Sequence, residues 1–288
     1  MRILRAAARG LLRVLMAGTG RRLASSELRH SAIVFSPHFD DESLGCGGTI
    51  LRKRHAGADV RIVFMTDGSK SHKDFVAERD LIAMRSREGI AAAAALGVAQ
   101  EDVARLGFEE TRLTEHFPAA VEAATEILKR WQPSEVFVPY RREPLADHVA
   151  TYEIVLAALR RIGREVTVYE YPIWCWQVWP WTPAEYRSPR RLRRIVKHIL
   201  RSGLQLVCEC RVRVRIREVL QEKREALQKH VSQMAKPNTE PRWPILPEVS
   251  GGEFLDRFFQ DHEVFRASTV RDRRPAPEPR KKAAVTMY

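Results

Sequence analysis

The chain has 288 residues, enough for one large domain with a substantial core, and its 44% hydrophobic and 30% charged content is ordinary for a globular protein. Its net charge of +13, from 49 basic and 36 acidic residues, is not ordinary and favours anionic partners: nucleic acid, acidic lipid headgroups or phosphate-bearing substrates. Cys46, Cys175, Cys208 and Cys210 include no C-x-x-C pair, which argues against a disulfide framework and a zinc knuckle, and no apolar run approaches the ~20 residues of a membrane span.

Few cysteines in a chain this size point to a reducing, cytoplasmic setting. The opening MRILRAAARGLLRVLMAGTGRRLASS has a short apolar run broken by Arg13 and fits a signal peptide poorly. Residues 1–30 are expected to be a basic arm, either an amphipathic helix or disordered. SAIVFS (31–36) reads as a buried strand, and residues 44–55 as a helix despite their glycines. DVRIVFMT (59–66) is a second strand, closed by Asp67-Gly68. Residues 78–96 form an alanine-rich helix stopped by Gly97, and residues 117–131 another. SEVFVPY (134–140) is a strand, 148–162 a helix, and 165–171 a strand. Strands alternating with helices predict a doubly wound, mostly parallel, Rossmann-like α/β sheet with helices on both faces. Ligands of such sheets sit at the carboxyl ends of the strands.

Past residue 172 the character changes. YPIWCWQVWPW holds four of the six tryptophans, and residues 187–229 carry 14 lysines and arginines against 4 glutamates, ten of the chain's thirteen net charges. The expected organisation is an α/β domain over 31–265, with its core at 31–172 and a basic, tryptophan-rich insertion at about 173–222. A disordered basic tail is expected over 266–288.

SPHFDDESLGCGG (36–48) crowds His38, Asp40, Asp41 and Glu42 between the first strand and a glycine cluster. Carboxylates this close repel, so a cation is called for. Zinc takes imidazole nitrogen and carboxylate oxygen, and a catalytic site keeps one position open for water. His38 and Asp41, three apart in a loop after a strand, can converge on one ion, with Asp40 turned to the water. Gly45, Gly47 and Gly48 are expected to let the backbone approach ion or substrate. A simpler reading makes Asp40, Asp41 or Glu42 the cap of a helix. A third ligand is expected from another strand end, where Asp147-His148 follows SEVFVPY.

SPHFDDESLGCGGTI resembles the (A/P)-H-P-D-D-E-x-x-G-x-G-G signature of the PIG-L/LmbE-like de-N-acetylase family. The likeness spans roughly residues 31–172 and continues faintly to the end. It includes VFMTDGS (63–69), Arg85-x-x-Glu88, LGFEETRL (106–113) and KREALQKHVSQM (223–234). The resemblance implies an amide hydrolase dependent on zinc or another divalent metal, acting on an N-acetylated amino sugar or its conjugate. It implies His38, Asp41 and His148 as metal ligands, and Asp40 as the base acting on a zinc-bound water. Glu42 and Asp147 would stand behind the ligands and orient them. Arg85 would contact the sugar, and Glu110 would accept hydrogen bonds from sugar hydroxyls. Two departures matter. Phe39 replaces a proline, which is expected only to loosen a turn. Leu145 replaces the first histidine of H-x-D-H, whose role is to stabilise the oxyanion or protonate the amine. Arg141 or Arg142 could supply that donor instead.

In RLRRIVKHILRSGL (191–204) apolar residues follow helical spacing with a cationic remainder, and RVRVRIR (211–217) alternates as a strand. Residues 190–217 either pack an apolar stripe on the core or meet an anionic membrane surface or glycolipid. Nucleic acid is disfavoured, because no recognisable binding motif is present. The sequence as a whole points to a de-N-acetylase for a lipid-, nucleotide- or glycan-linked N-acetylhexosamine, cytoplasmic or peripheral on the cytosolic membrane face. The alternative is a catalytically reduced relative that binds membrane or polysaccharide.

Overall fold

The computed structural model describes residues 2–182 and 205–270. Among these, eight strands form one sheet: β1 (Arg21–Arg22), β2 (Ala32–Ser36), β3 (Val60–Thr66), β4 (Val103–Phe108), β5 (Glu135–Pro139), β6 (Val166–Tyr171), β7 (Val212–Arg215) and β8 (His262–Val270). Their order is β1-β7-β8-β6-β5-β2-β3-β4. β2 to β6 are all parallel, while β8 runs antiparallel to both β6 and β7. The longer helices are α1 (Arg2–Thr19), α2 (Asp41–His55), α3 (Glu78–Ala95), α4 (Phe117–Trp131), α5 (Ala146–Ile162) and α6 (Leu220–Gln228), followed by the single turn α7 (Val231–Met234).

β2 is buried along its whole length, and its alternate side chains serve two cores. Ile33 and Phe35 join Val121, Leu128, Ile154 and Leu159 of α4 and α5 on one face. Val34 joins Leu44, Ile50, Ile62 and Phe64 on the other, under α2. The chain builds outward from β2 through β3 to β4, then crosses back to lay β5 against the other side of β2. The loops leaving β2 and β5 therefore part in opposite directions at one crevice, the switch point at which such sheets bind ligands.

Several boundaries differ from the sequence expectations. α2 begins at Asp41, not residue 44, and α5 at Ala146, not 148, so Asp41, Glu42 and Asp147 all lie in first turns where the helix dipole favours anions. β4 is an edge strand with Arg105 exposed, and its irregular polarity hides it from pattern reading. Residues 1–30 are not a separate arm. β1 hydrogen-bonds beside β7, Met16 is buried, and Arg5 and Arg9 both pair with Glu253. Nor does a tail begin at 266, because β8 holds register with β6 up to Val270. The amphipathic segment 191–204 and residues 271–288 lie outside the described residues. Within RVRVRIR, Val212 and Val214 are buried, while Arg213 donates to the Gly20 carbonyl and Arg215 pairs with Glu218. No helix among the described residues is long and apolar enough to cross a membrane.

The glycines of α2 serve packing and not the approach of an ion. A Cβ on Gly45 would stand 2.4 Å from the Tyr171 ring, and one on Gly48 would stand 2.5 Å from Ile216. Gly47 faces Lys223 of α6. They let α2 lie close against β6 and the chain entering α6.

Candidate active site and metal centre

The loop leaving β2 is clamped before it reaches the acidic residues. The Pro37 carbonyl accepts both the backbone N–H and the hydroxyl of Thr66, 3.1 and 2.7 Å away, tying the loop to β3. The peptide between Phe39 and Asp40 is then held at both ends. Arg85 donates to its carbonyl, and its N–H donates to Glu42 Oε2 at 3.0 Å. This clamp holds Asp40 at φ 124°, a backbone region that costs a residue with a side chain of order 1–3 kcal/mol. Phe39 does more than loosen a turn. It is buried, its ring centroid lies 4.4 Å from that of Phe64, and it lies where any side chain at Gly89 would go.

Asp41 Oδ2 lies 3.2 Å from His38 Nδ1 and 3.2 Å from His148 Nε2. One donor atom from each of the three residues falls within 4.8 Å of the other two. Ligands bound about 2.0 Å from a tetrahedral zinc stand roughly 3.3 Å apart, so these separations suit one ion. Both ring nitrogens of His148 are buried without a hydrogen-bond partner among the described residues, and a cation bound beside Asp41 would satisfy Nε2. The residues present therefore fit zinc or a similar divalent metal. Burial alone would raise the Asp41 pKa, but His148 and His38 hold it far below the usual carboxylate range. Burial and the adjacent Asp41 push Asp40 the other way, up to about 7.

Two carboxylates back the histidines. Asp147 Oδ2 lies 3.3 Å from His38 Nε2 and also accepts the Thr111 N–H at 2.6 Å, so it leaves His38 Nδ1 to face Asp41. Glu143, which the sequence reading missed, lies 3.6 Å from His148 Nδ1. The backbone N–H groups of Ile173 and Trp174, each 2.8 Å away, hold it there. The signal for it was modest: an acid in the same loop, five residues before His148. Burial, opposed by His148, raises the pKa of Glu143.

Glu42 departs from its expected place. Its bonds go to the Asp40 N–H, Ser36, Ser43 and His230 rather than to the side chains of His38, Asp41 or His148. It holds the peptide before Asp40. His230, Ser232 and Gln233 come from KREALQKHVSQM. Ser232 bonds Glu88 through its N–H and its hydroxyl, 2.7 and 2.6 Å away, so this late segment is locked to Arg85-x-x-Glu88.

His38, Asp40, Asp41 and Asp147 line a cavity of about 380 Å³ whose walls include Ser71, His72, Thr111, Trp174, Gln233 and Leu246. Arg85 and Glu110 line it too. Arg85 is only 1% exposed, and it is engaged by Ser71, the Phe39 carbonyl and Asp40, which lies 3.6 Å away. Its guanidinium supports the site from beneath more than it offers itself to a guest. Glu110 accepts the Lys70 N–H with Oε2, while Oε1 lies 3.9 Å from His38. Leu145 stands at the rim, 37% exposed. Arg141 and Arg142 do not fill its role, since both pair with Glu209 at 2.6 and 3.5 Å and neither lines the cavity.

Residues 33–159 match the family model described as PIG-L, GlcNAc-PI de-N-acetylase. An uncharacterized deacetylase, YaiS, of Escherichia coli (strain K12) is 28% identical over 155 residues, 52% of this chain and 78% of that protein. The diacetylchitobiose deacetylase of Thermococcus kodakarensis is 31% identical over 117 residues, covering 40% and 43% respectively. Among solved structures, the N,N'-diacetylchitobiose deacetylase from Pyrococcus horikoshii superposes with a TM-score of 0.59 at 20% identity, over 91% of this chain and 92% of that one. The family model and the curated relatives support the PIG-L/LmbE-like de-N-acetylase family and a hydrolytic de-N-acetylase, and the solved structure shows the shared fold.

Proposed function

We propose that the chain is a metal-dependent hydrolase that removes the acetyl group from an N-acetylhexosamine conjugate whose sugar is linked to a lipid, a nucleotide or a glycan. One observation carries this reading: donor atoms of His38, Asp41 and His148 converge, and His38 and Asp41 line the cavity beside a buried carboxylate, Asp40, that stands outside their cluster. A divalent metal bound by those three residues supplies Lewis-acid polarisation of the amide carbonyl and lowers the pKa of water. Asp40 takes a proton from the attacking water and returns one to the departing amine. Its carboxylate keeps its aim because Arg85 and Glu42 fix the peptide before it. Asp147 holds the His38 imidazole in the tautomer that leaves Nδ1 toward Asp41, and Glu143 stands 3.6 Å from the His148 nitrogen turned away from Asp41. Glu110 and Gln233, on the walls, suit sugar hydroxyls. The names of the chitobiose deacetylases support an N-acetylglucosamine unit as the group acted on.

The basic segment 190–217 supports an anionic membrane surface as the place where a lipid-linked substrate is met. Leu145 favours a second reading, a relative with reduced catalysis that binds polysaccharide or membrane, because no histidine stands at that rim position. Metal analysis with acetate assay separates the two. The hydrolase reading expects stoichiometric divalent metal, acetate release from N-acetylglucosamine conjugates, loss of release on chelation and recovery with zinc. Protein that takes up no metal on reconstitution contradicts it. Full metal occupancy without acetate release favours the second reading.

A further inference from the structure

A second cavity, of about 440 Å³, is walled by α1, the segment after β6, β7 and the chain entering β8. It shares no lining residue with the cavity over His38. The two are neighbours across the turn Trp174–Trp176, with Trp174 lining the first and Trp176 the second. Its charge is lopsided. Among the described residues, Arg13, Arg213 and Arg257 line it against a single lining carboxylate, Asp261.

Among the described residues, each of the three guanidiniums bonds only to a neutral acceptor: Arg13 to Gln260 Oε1 at 2.8 Å, Arg213 to the Gly20 carbonyl at 3.3 Å, Arg257 to the Glu253 carbonyl at 3.4 Å. The nearby Glu253 carboxylate is taken by Arg5 and Arg9. A second observation points the same way. Trp181 Nε1, Arg213 Nε and His262 Nε2 are buried without a hydrogen-bond partner among the described residues, and all three side chains line this cavity. Trp181 is only 2% exposed, and a buried polar group of this kind calls for a partner. Burial, with Arg13 and Arg9 nearby, pushes Arg257 down to about 10, the behaviour of a cation short of counter-charge.

An apolar guest would leave these donors unpaired, and a cation would be repelled. An anion with several acceptor oxygens meets both requirements, and guanidinium forks match phosphate geometry. Trp176 and Phe259 add aromatic surface for an attached organic group. We propose that this cavity binds an organic phosphate, its head met by Arg13, Arg213, Arg257 and the Trp181 N–H, and its organic part lying on Trp176 and Phe259. The site does not depend on the deacetylase reading, since none of its residues belongs to the catalytic cavity. A phospholipid headgroup and a free phosphate ester share this chemistry.

Tryptophan emission reads the site directly. Full-length protein is titrated at constant ionic strength with glycerol 3-phosphate, and separately with phosphatidylcholine vesicles with or without phosphatidic acid. Sodium chloride is the control. The expected result is a saturable change with the ester or with the phosphatidic acid vesicles, and whichever responds identifies the source. Arg257→Gln and Arg213→Gln should each weaken it about tenfold or more, the loss of one charged contact. Arg13→Gln, at an exposed position, takes their place should either fail to melt like the wild type. The proposal is overturned by responses no different from chloride in both arms, or by folded variants that bind like the wild type.

Discussion

His230 Nε2 lies 2.7 Å from Glu42 Oε1, both side chains fully buried, so the late segment of the chain is bonded to the acidic loop 188 residues before it. Glu42 in turn accepts the N–H of Asp40. The Asp40 peptide is thus tied through Glu42 to a residue from the far end of the chain, and the late motif acquires a structural reason.

The pair has a pH signature. Burial lowers the His230 pKa, but Glu42 more than offsets this and the net shift is upward, while the Glu42 pKa is lowered. The stability His230 contributes is fully present below its ordinary value of about 6.5 and is lost as pH rises through the raised value. The Glu42 contribution is present above about 4.5 and is lost as pH falls through the lowered value. His230→Gln, which keeps a donor but no charge, should cost about 1–2 kcal/mol near pH 6. The difference from wild type in thermal unfolding should narrow toward pH 9. A difference that stays constant with pH would show that the charge is irrelevant.

Metal affinity should depend on the carboxylates behind the histidines. Glu143→Gln and Asp147→Asn are each expected to weaken zinc binding about 10–100-fold, read by competition with a chelating dye. Both oxygens of each carboxylate accept backbone N–H groups, so each amide leaves one N–H facing an NH2, and thermal unfolding of the variants is compared with wild type alongside the titration.

The rim position can be tested by restoring what is absent. Leu145→His places a donor beside the cavity, where one oxyanion contact is worth about 2.7–4 kcal/mol. The expected outcome is a rise in kcat of at least about tenfold with unchanged metal affinity. An unchanged kcat would mean that another wall group already serves.

Packing around α2 predicts a coupled pair. Gly48→Ala forces a Cβ to within 2.5 Å of Ile216, and overpacking of this kind costs typically about 1–3 kcal/mol. Ile216→Ala in the same chain should recover part of that loss, a coupling measurable by denaturant unfolding in a double-mutant cycle.

Much of this was legible in the residues. The buried run AIVFS and the strand-helix alternation gave the parallel sheet, and the switch point between β2 and β5 follows from the order in which strands are laid down. His38, Asp41 and His148 were singled out by spacing and strand end, and their donors converge. Other features depend on contacts distant in sequence. The glycines of α2 read as room for an ion because nothing local shows Tyr171 and Ile216 above them. Arg141 looked free to reach the rim until Glu209, from a later segment, claimed it. The N-terminal segment read as an arm because the partner of its arginines, Glu253, is some 240 residues away. Residues placed by a strand end were visible, and residues placed by a distant partner were not.

The most direct test of the central claim is acetate release from an N-acetylglucosamine conjugate by zinc-loaded wild type and zinc-loaded Asp40→Asn, with metal content measured on both. Proton transfer by a positioned side chain contributes about 10²–10⁴-fold, so the variant should lose that much in kcat while retaining its zinc. Equal rates at equal zinc content would contradict the account.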